Sequence, residues 1–277
     1  MCLNEVTLHF SFTHQNKFMK IIHFLSKILF FLAIFTFSTS IFAQKTDTIP
    51  KHKLTVFSAV SVTNNGISLI PSFSLGKPAA IFDIYLKKKR LSFEPQFRAS
   101  LAGKPWSFVF WWRYKLIKTD KFSLGVGAHP SVLFGTTPVV INNISKEVIV
   151  ARRYLASEIA PNFFINKNTS IGVYYLYSHG LEKEGVQNTN FITLNANFSH
   201  IPLYKDFFAK FSPQVFYLKM DKNEGYYTNA TLTFVKKNFP ISLSFIGNQK
   251  IKSSIAGGKF VWNATLTYAL NRKFKEE

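Results

Sequence analysis

Phe260-Val-Trp-Asn-Ala-Thr-Leu-Thr-Tyr-Ala-Leu270 is the stretch that decides how the chain is read. Phe260, Trp262, Ala264, Leu266, Tyr268 and Leu270 fall on one side of a strand, and Val261, Asn263, Thr265, Thr267 and Ala269 on the other. Side chains alternate across a strand with period two, so one face is apolar with aromatic ends and the other is small and mostly polar. A tilted strand of about 10 residues crosses a bilayer. The stretch is therefore expected to be the closing strand of a transmembrane barrel, its aromatic ends set at the membrane–water interfaces.

Much of the chain upstream repeats this unit. In 91–101, Leu91, Phe93, Pro95, Phe97, Ala99 and Leu101 alternate with Ser92, Glu94, Gln96, Arg98 and Ser100. In 190–200, Ile192, Leu194, Ala196 and Phe198 oppose Thr193, Asn195, Asn197 and Ser199. In 207–219, Phe207, Ala209, Phe211, Val215 and Tyr217 oppose Lys210, Ser212 and Gln214. Further strand-length units occupy 54–62, 67–75, 80–87, 106–117, 122–134, 148–164, 170–178, 226–236, 241–246 and 259–270, bounded by Gly, Pro, Asn, Asp or Lys clusters. No stretch between them carries an apolar stripe of helical period. A soluble barrel alternates in the same way with its apolar face inward; the export signal and the aromatic strand ends select the membrane version.

That signal lies in 19–43. Lys20, His23 and Lys27 precede or punctuate an apolar centre at 28–37, and Ser38-Thr-Ser-Ile-Phe-Ala43 is a small, polar tail. This three-part order is that of a secretory signal peptide, cleaved after Ala43. Ser26, Thr36, Ser38 and Ser40 argue against the other reading, a retained anchor helix. Residues 1–18 do not fit a leader, which makes Met19 the expected start; 44–53 reads as a periplasmic lead-in and 54–277 as the barrel. Cys2 is the only cysteine, so the processed chain has no disulfide and no lipoprotein anchor.

Composition agrees with a barrel. Aromatic residues make up 17% and charged residues 17% of 277, low in charge beside the usual value of about a quarter. Mean hydropathy is +0.07, far below a helical membrane protein, because alternation hides the membrane face in the average. Net charge is +20; removing 1–43 takes away Lys17, Lys20, Lys27 and Glu5 and leaves +18. A basic exported surface suits outer-membrane lipid and anionic glycolipid. Nucleic acid is not expected as a partner, since no recognition motif accompanies the charge.

Connector lengths assign the two ends. Barrels of this type have short periplasmic turns and longer outer loops. The longest connectors, 135–147, 180–189 and 247–258, are separated by even numbers of strands and fall on one side, outside the cell. The short ones, 88–90, 118–121, 165–169, 201–206 and 237–240, fall on the other. This parity makes 67–75 the first upward strand and leaves 54–62 over, pairing below the barrel or extending that first strand. The expected fold is an all-β, antiparallel up-and-down transmembrane barrel of about 12 strands.

The leader with Gln44 after Ala43, the Phe-rich strands, and the segments Gly66-Ile-Ser-Leu-Ile-Pro-Ser-Phe-Ser-Leu-Gly-Lys-Pro78 and Gly103-Lys-Pro-Trp-Ser-Phe-Val-Phe-Trp-Trp-Arg-Tyr-Lys115 carry a resemblance. Over roughly 60–270 the chain resembles an uncharacterised outer-membrane β-barrel family of Bacteroidota-type bacteria. The resemblance implies location and fold. The barrel-assembly machinery is the expected partner for assembly, through the terminal strand. It brings no substrate and no functional residue.

With the apolar face given to lipid, the lumen receives Asp83, Glu94, Arg98, Arg113, Lys115, His129, Arg152, Glu158 and Lys210. A charge at lipid mid-depth costs about 2–4 kcal/mol, which is why these positions should point inward. Trp106, Trp111, Trp112 and Tyr114 cluster in one strand, as an interfacial girdle or, less in keeping with the pattern, a sugar-stacking platform; Trp106, Phe108, Phe110 and Trp112 share the lipid face, which leaves Trp111 inside. Two functional classes follow. One is a narrow passive pore whose surplus of bases favours small anions; the other is a structural or binding barrel with a salt-bridged, occluded lumen. An enzyme is not expected. His129 and Ser131 share a face about 7 Å apart along a strand, too far for a catalytic hydrogen bond. No G-x-S-x-G, H-E-x-x-H or Walker loop is present, and no metal or cofactor is implied.

Overall fold

In the computed structural model, residues 54–68, 73–141 and 144–273 are described. The leader (19–43), the residues before it and the lead-in (44–53) lie outside them. Twelve strands follow in order: β1 (Thr55–Thr63), β2 (Ala79–Lys88), β3 (Leu91–Ser100), β4 (Pro105–Lys118), β5 (Phe122–Ile141), β6 (Ile144–Phe164), β7 (Thr169–Gly180), β8 (Asn188–Tyr204), β9 (Phe207–Met220), β10 (Asn223–Lys236), β11 (Ile241–Ser253) and β12 (Phe260–Lys273). Each pairs antiparallel with its sequence neighbours, and β1 pairs with β12 as well as β2, from Thr55↔Lys273 to Thr63↔Thr265, so the sheet closes. Among the described residues no helix is long and apolar enough to cross a membrane; the chain crosses with strands.

The closing strand shows which face is out. Trp262, Leu266, Tyr268 and Leu270 are exposed while Asn263 is 7% exposed and faces in. The same outward band holds Trp112, Leu155, Ile159, Ile192, Leu194 and Val215. A soluble protein would not leave so much continuous apolar surface in water. Around the whole wall the outward face is apolar and the sheet has no free edge. Those are the two conditions a bilayer imposes on strands. This is the fold of an outer-membrane β-barrel.

The strand count agrees with the sequence reading, but one of the strands does not. Segment 67–75 is not the first barrel strand; β1 is. Residues 69–72 lie outside the described residues, and the flanks on either side bond to each other. Gly66 N donates to Lys77 O at 2.8 Å, Leu75 N to Gly66 O at 2.7 Å, and Ser68 N to Ser74 Oγ at 2.8 Å. Pro71 has no N–H to give to a sheet ladder, which disfavours a central strand there. Ile67, Phe73 and Leu75 instead belong to the segment between β1 and β2 (64–78), whose described flanks are closed at the neck by these bonds. One upward strand replaces another, so the parity of the connectors is unchanged.

One end of the barrel, the loop end, carries 64–78, 101–104, 181–187 and 254–259; the other, the turn end, carries 89–90, 119–121, 165–168, 205–206 and 237–240. Two expected loops are shorter than the sequence suggested. Most of 247–258 is β11, and 135–147 is largely strand. Beyond Leu133 on β5 and Tyr154 on β6, neither strand pairs with an outer neighbour, yet their mutual register runs on to Ile141↔Ile144. The two continue as a ribbon past the wall, where Lys104 Nζ meets Glu147 Oε2 at 3.1 Å. Thr136, Val139, Val148 and Ile149 suit a pleated ribbon.

The two candidates for the first strand separate experimentally. Deleting 55–63 should abolish the heat-modifiable barrel band on gels, because β2 and β12 lose their partner. Replacing 67–75 with a Gly-Ser linker should leave it. The reverse pattern would restore 67–75 as a strand.

Candidate functional site

The site is the lumen. Near its middle, Arg113 projects inward from β4 between carboxylates on two different strands. Its Nη1 bonds Glu94 of β3, and its Nε and Nη2 meet Glu158 Oε1 and Oε2 of β6 at 2.6 and 3.2 Å. Ser92 Oγ donates to Glu94 at 2.7 Å, and Tyr174 OH of β7 donates to Glu158 Oε2 at 2.7 Å. The guanidinium also lies 4.0 Å from the centroid of Trp111, whose ring meets His129 at 4.1 Å in an edge-on contact. Five strands are thereby tied across the interior. Gly127, beside Arg113 and Glu158 on β5, makes room for them: a Cβ there would sit 2.9 Å from Glu158 Oε1 and 3.0 Å from Arg113 Cγ.

Toward the loop end the interior is apolar. Leu176, Phe191, Phe216, Leu218, Met220, Tyr227 and Ile255 form one buried cluster, with Phe73, Trp111, Tyr174 and Val186 packed on it. Its members come from β7 to β10 on one side and from β4 and the 64–78 loop on the other, so it bridges the lumen. Phe191 and Phe216 rings lie 5.0 Å apart, and Phe216 stacks on Tyr227 at 4.9 Å. The loop enters from above. Phe73 meets the Tyr154 ring at 5.2 Å, and its carbonyl accepts from Trp106 Nε1 at 2.8 Å. Its other flank faces β10 and β11 across a 190 Å³ cavity lined by Asn65, Ile67, Tyr227 and Asn248.

Trp106 is a correction. It was expected on the lipid face with Trp112 but is 2% exposed, against the loop. The register between β3 and β4 shifts at Arg98/Ala99, where Ala99 pairs Pro105 and Arg98 pairs Ser107. That extra residue takes Trp106 out of the alternation and turns it inward. Gly66 leaves room for its ring: a Cβ added there would lie 3.1 Å from the nearest ring atom. Trp111 is inside, where the alternation puts it.

The other expected lumen residues fall into two groups. Asp83 and Arg98 do not touch; Gln96 stands between them, donating Nε2–H to Asp83 Oδ1 and accepting from Arg98 Nη2. Arg98 also lies over Trp106, 5.0 Å from its centroid. Lys115 and Lys210 lie toward the turn end and are exposed; among the described residues neither forms an ion pair. Arg152 lies near the loop end, with its Nε buried and unpartnered. Its neighbour Arg153 points out and pairs with Glu182 of the 181–187 loop at 2.6 Å, which holds that carboxyl below its ordinary range. His129 and Ser131 border a shared cavity of about 160 Å³, and the ring neighbour of His129 is Trp111.

Alternation alone did not show the apolar cluster. A signal was present in Val215-Phe-Tyr-Leu218 and Tyr175-Leu-Tyr177, where both faces of a strand are apolar at once. Such runs mark strands buried on both sides, here by lipid and by the plug.

No family model and no curated protein matches the chain. Solved structures to which it is similar include a KdgM porin in complex with disordered oligogalacturonate, at 8% identity and TM-score 0.47, over 77% of this chain and 98% of that one. An outer-membrane channel from Pseudomonas putida F1 is 10% identical, TM-score 0.45, over 82% of this chain and 98% of that one. The NanC porin is 9% identical, TM-score 0.43, over 79% and 100%. The fold assignment rests on the closed sheet itself.

Glu158 is nearly buried and serves two donors, so Glu158→Ala strands the Arg113 charge. The loss for a fully buried pair is about 3–5 kcal/mol, and the partly exposed guanidinium lowers it to about 2–4 kcal/mol. Tyr174→Phe removes one hydrogen bond to the same carboxylate and should cost about 1–2 kcal/mol. Urea unfolding of the detergent-folded barrel measures both. Equal, negligible losses would contradict a tensioned network.

Proposed function

We propose that the protein is an outer-membrane barrel whose lumen is closed in its resting state, and that it works as a binding barrel rather than a permanently open pore. One observation carries this: Phe73, from the 64–78 loop, packs onto an apolar cluster that bridges the lumen from Trp111 to Leu176, Phe191 and Phe216. Barrels of eight strands are filled by side chains and those of 16–18 leave a water channel. Twelve strands lie between, and here a loop and large side chains fill the upper half. The reading assigns no catalytic chemistry. It includes contacts with outer-membrane lipid and anionic glycolipid, assembly through the terminal strand, and membership of an uncharacterised family of the Bacteroidota type, supported by the two quoted segments.

A second reading, a narrow path for small anions, is favoured by the charge inventory. The three inward acids are all engaged: Glu94 and Glu158 by Arg113, and Asp83 by Gln96. Lys115, Lys210 and Arg152 have no acidic partner among the described residues. Unpaired positive charge in a confined, low-dielectric passage weighs more than in bulk water. When the plug opens, anions should pass first.

Planar-bilayer recording tests both. The native barrel should be silent or nearly so. Replacing 67–75 with a Gly-Ser linker together with Phe216→Ala should produce conductance, with a reversal potential under a salt gradient that reports anion preference. Adding Lys115→Glu and Lys210→Glu should shift it toward cations. Steady conductance in the native barrel would overturn the closed-lumen reading. Cation preference in the opened form would overturn the anion path.

A further inference from the structure

We infer that the cavity beneath the 64–78 loop is a binding site for a small organic acid, a carboxylate on an apolar or aromatic body. The inference deepens the binding-barrel reading and rests on it.

Three residues that each carry a buried polar atom without a hydrogen-bond partner among the described residues line this one cavity: Arg98 with its Nε, Ser107 with its Oγ and His129 with its Nδ1. Buried polar groups left unpaired are rare and costly, so three at one place require an explanation. The barrel has the means to neutralise an inward arginine directly, since Arg113 receives two carboxylates. Arg98 receives none: Gln96 occupies one of its nitrogens and passes the link on to Asp83, while Nε stays free. A buried guanidinium without a direct counter-ion is a poor structural element and a good anion receptor. Its planar fork fits a carboxylate, and the Ser107 hydroxyl can supply a further donor.

The rest of the wall sets the body of the ligand. Phe73, Trp111, Leu133 and Leu176 also line the cavity. The volume is about 160 Å³. Cavities of about 150 Å³ accept a benzene ring. Few precise polar groups in a mainly apolar wall is the pattern of small-molecule sites. Water alone could satisfy the three atoms, but it would leave the guanidinium without a direct counter-ion and a largely apolar wall wet. Ser68 and Phe73, on the described flanks of the segment between β1 and β2, complete the wall.

Benzoate is the probe, with benzamide as its uncharged counterpart. Trp106 and Trp111 border or approach the site, so intrinsic fluorescence of the protein purified in detergent reports occupancy without any channel activity. Benzoate should quench and saturate; benzamide should bind at least about tenfold more weakly, a difference of about 1.4 kcal/mol. Sodium chloride should compete only at much higher concentration than benzoate. Arg98→Gln should lose benzoate binding while the folded, heat-modifiable band remains. Ser107→Ala, which removes no charge and should fold in any case, should weaken it several-fold. Equal binding of benzoate and benzamide, competition by chloride at matched concentration, unchanged affinity in Ser107→Ala, or no saturable quenching would each overturn the inference. A silent bilayer without benzoate binding rejects this site and leaves the closed lumen standing. A conducting native barrel that binds benzoate does the opposite.

Discussion

Every backbone N–H and C=O that enters hydrocarbon must find its partner within the protein. For strands, only a closed sheet meets that condition, and here closure depends on β1 meeting β12 over nine register pairs, from Thr55↔Lys273 to Thr63↔Thr265. The two strands are about 200 residues apart, so the seam joins the ends of the sheet. Ser61 Oγ and Thr267 Oγ1 add a side-chain hydrogen bond across it at 2.9 Å. Once the ring is closed, the outward face has one task, to be apolar, and the inward face is free to vary.

The chain divides that freedom by height. The turn-side lumen is polar and basic, with Lys115 and Lys210. The middle is braced by Arg113 between Glu94 and Glu158, a cross-strand tie made by one doubly paired guanidinium. The loop side is a hydrophobic plug completed by an inserted loop. The loop and the wall are fitted to each other at two points: the Trp106 indole donates to the Phe73 carbonyl, and Gly66 leaves room for the same ring. Phe216 and Tyr227 stack within the bore, their ring centroids 4.9 Å apart.

How much of this the sequence disclosed depends on which face carried it. The outward face was legible, because lipid enforces strict alternation: Trp262, Leu266, Tyr268 and Leu270 on β12 stand where period two puts them. So were the parity of the connectors and the inward setting of Arg113, Glu158 and Trp111. Segment 67–75 misled because Ile67 and Phe73 are apolar for a reason other than lipid, namely facing cavities and the apolar cluster inside the barrel. Trp106 misled because a one-residue register shift reverses every face beyond it, and a bulge leaves no mark in composition. The Glu94–Arg113–Glu158 tie and the Asp83–Gln96–Arg98 chain were out of reach as pairings. They depend on the stagger between strands, which alternation within a single strand does not encode.

The central claim is that the bore is shut by packed side chains. Leu218 tests it most directly. It is 0% exposed on the lumenal face of β9, and Lys210 lies on the same face eight residues nearer the turn end, exposed. On a Cys2→Ser background, Leu218→Cys and Lys210→Cys each give a single thiol. Their rates of reaction with a charged, membrane-impermeant methanethiosulfonate reagent, compared on the folded barrel in detergent, report whether water reaches the two depths alike. A closed lumen requires Leu218→Cys to react slower by about two orders of magnitude, since the reagent must wait for a local opening. Comparable rates at the two positions would mean that water fills the bore, and would contradict the account.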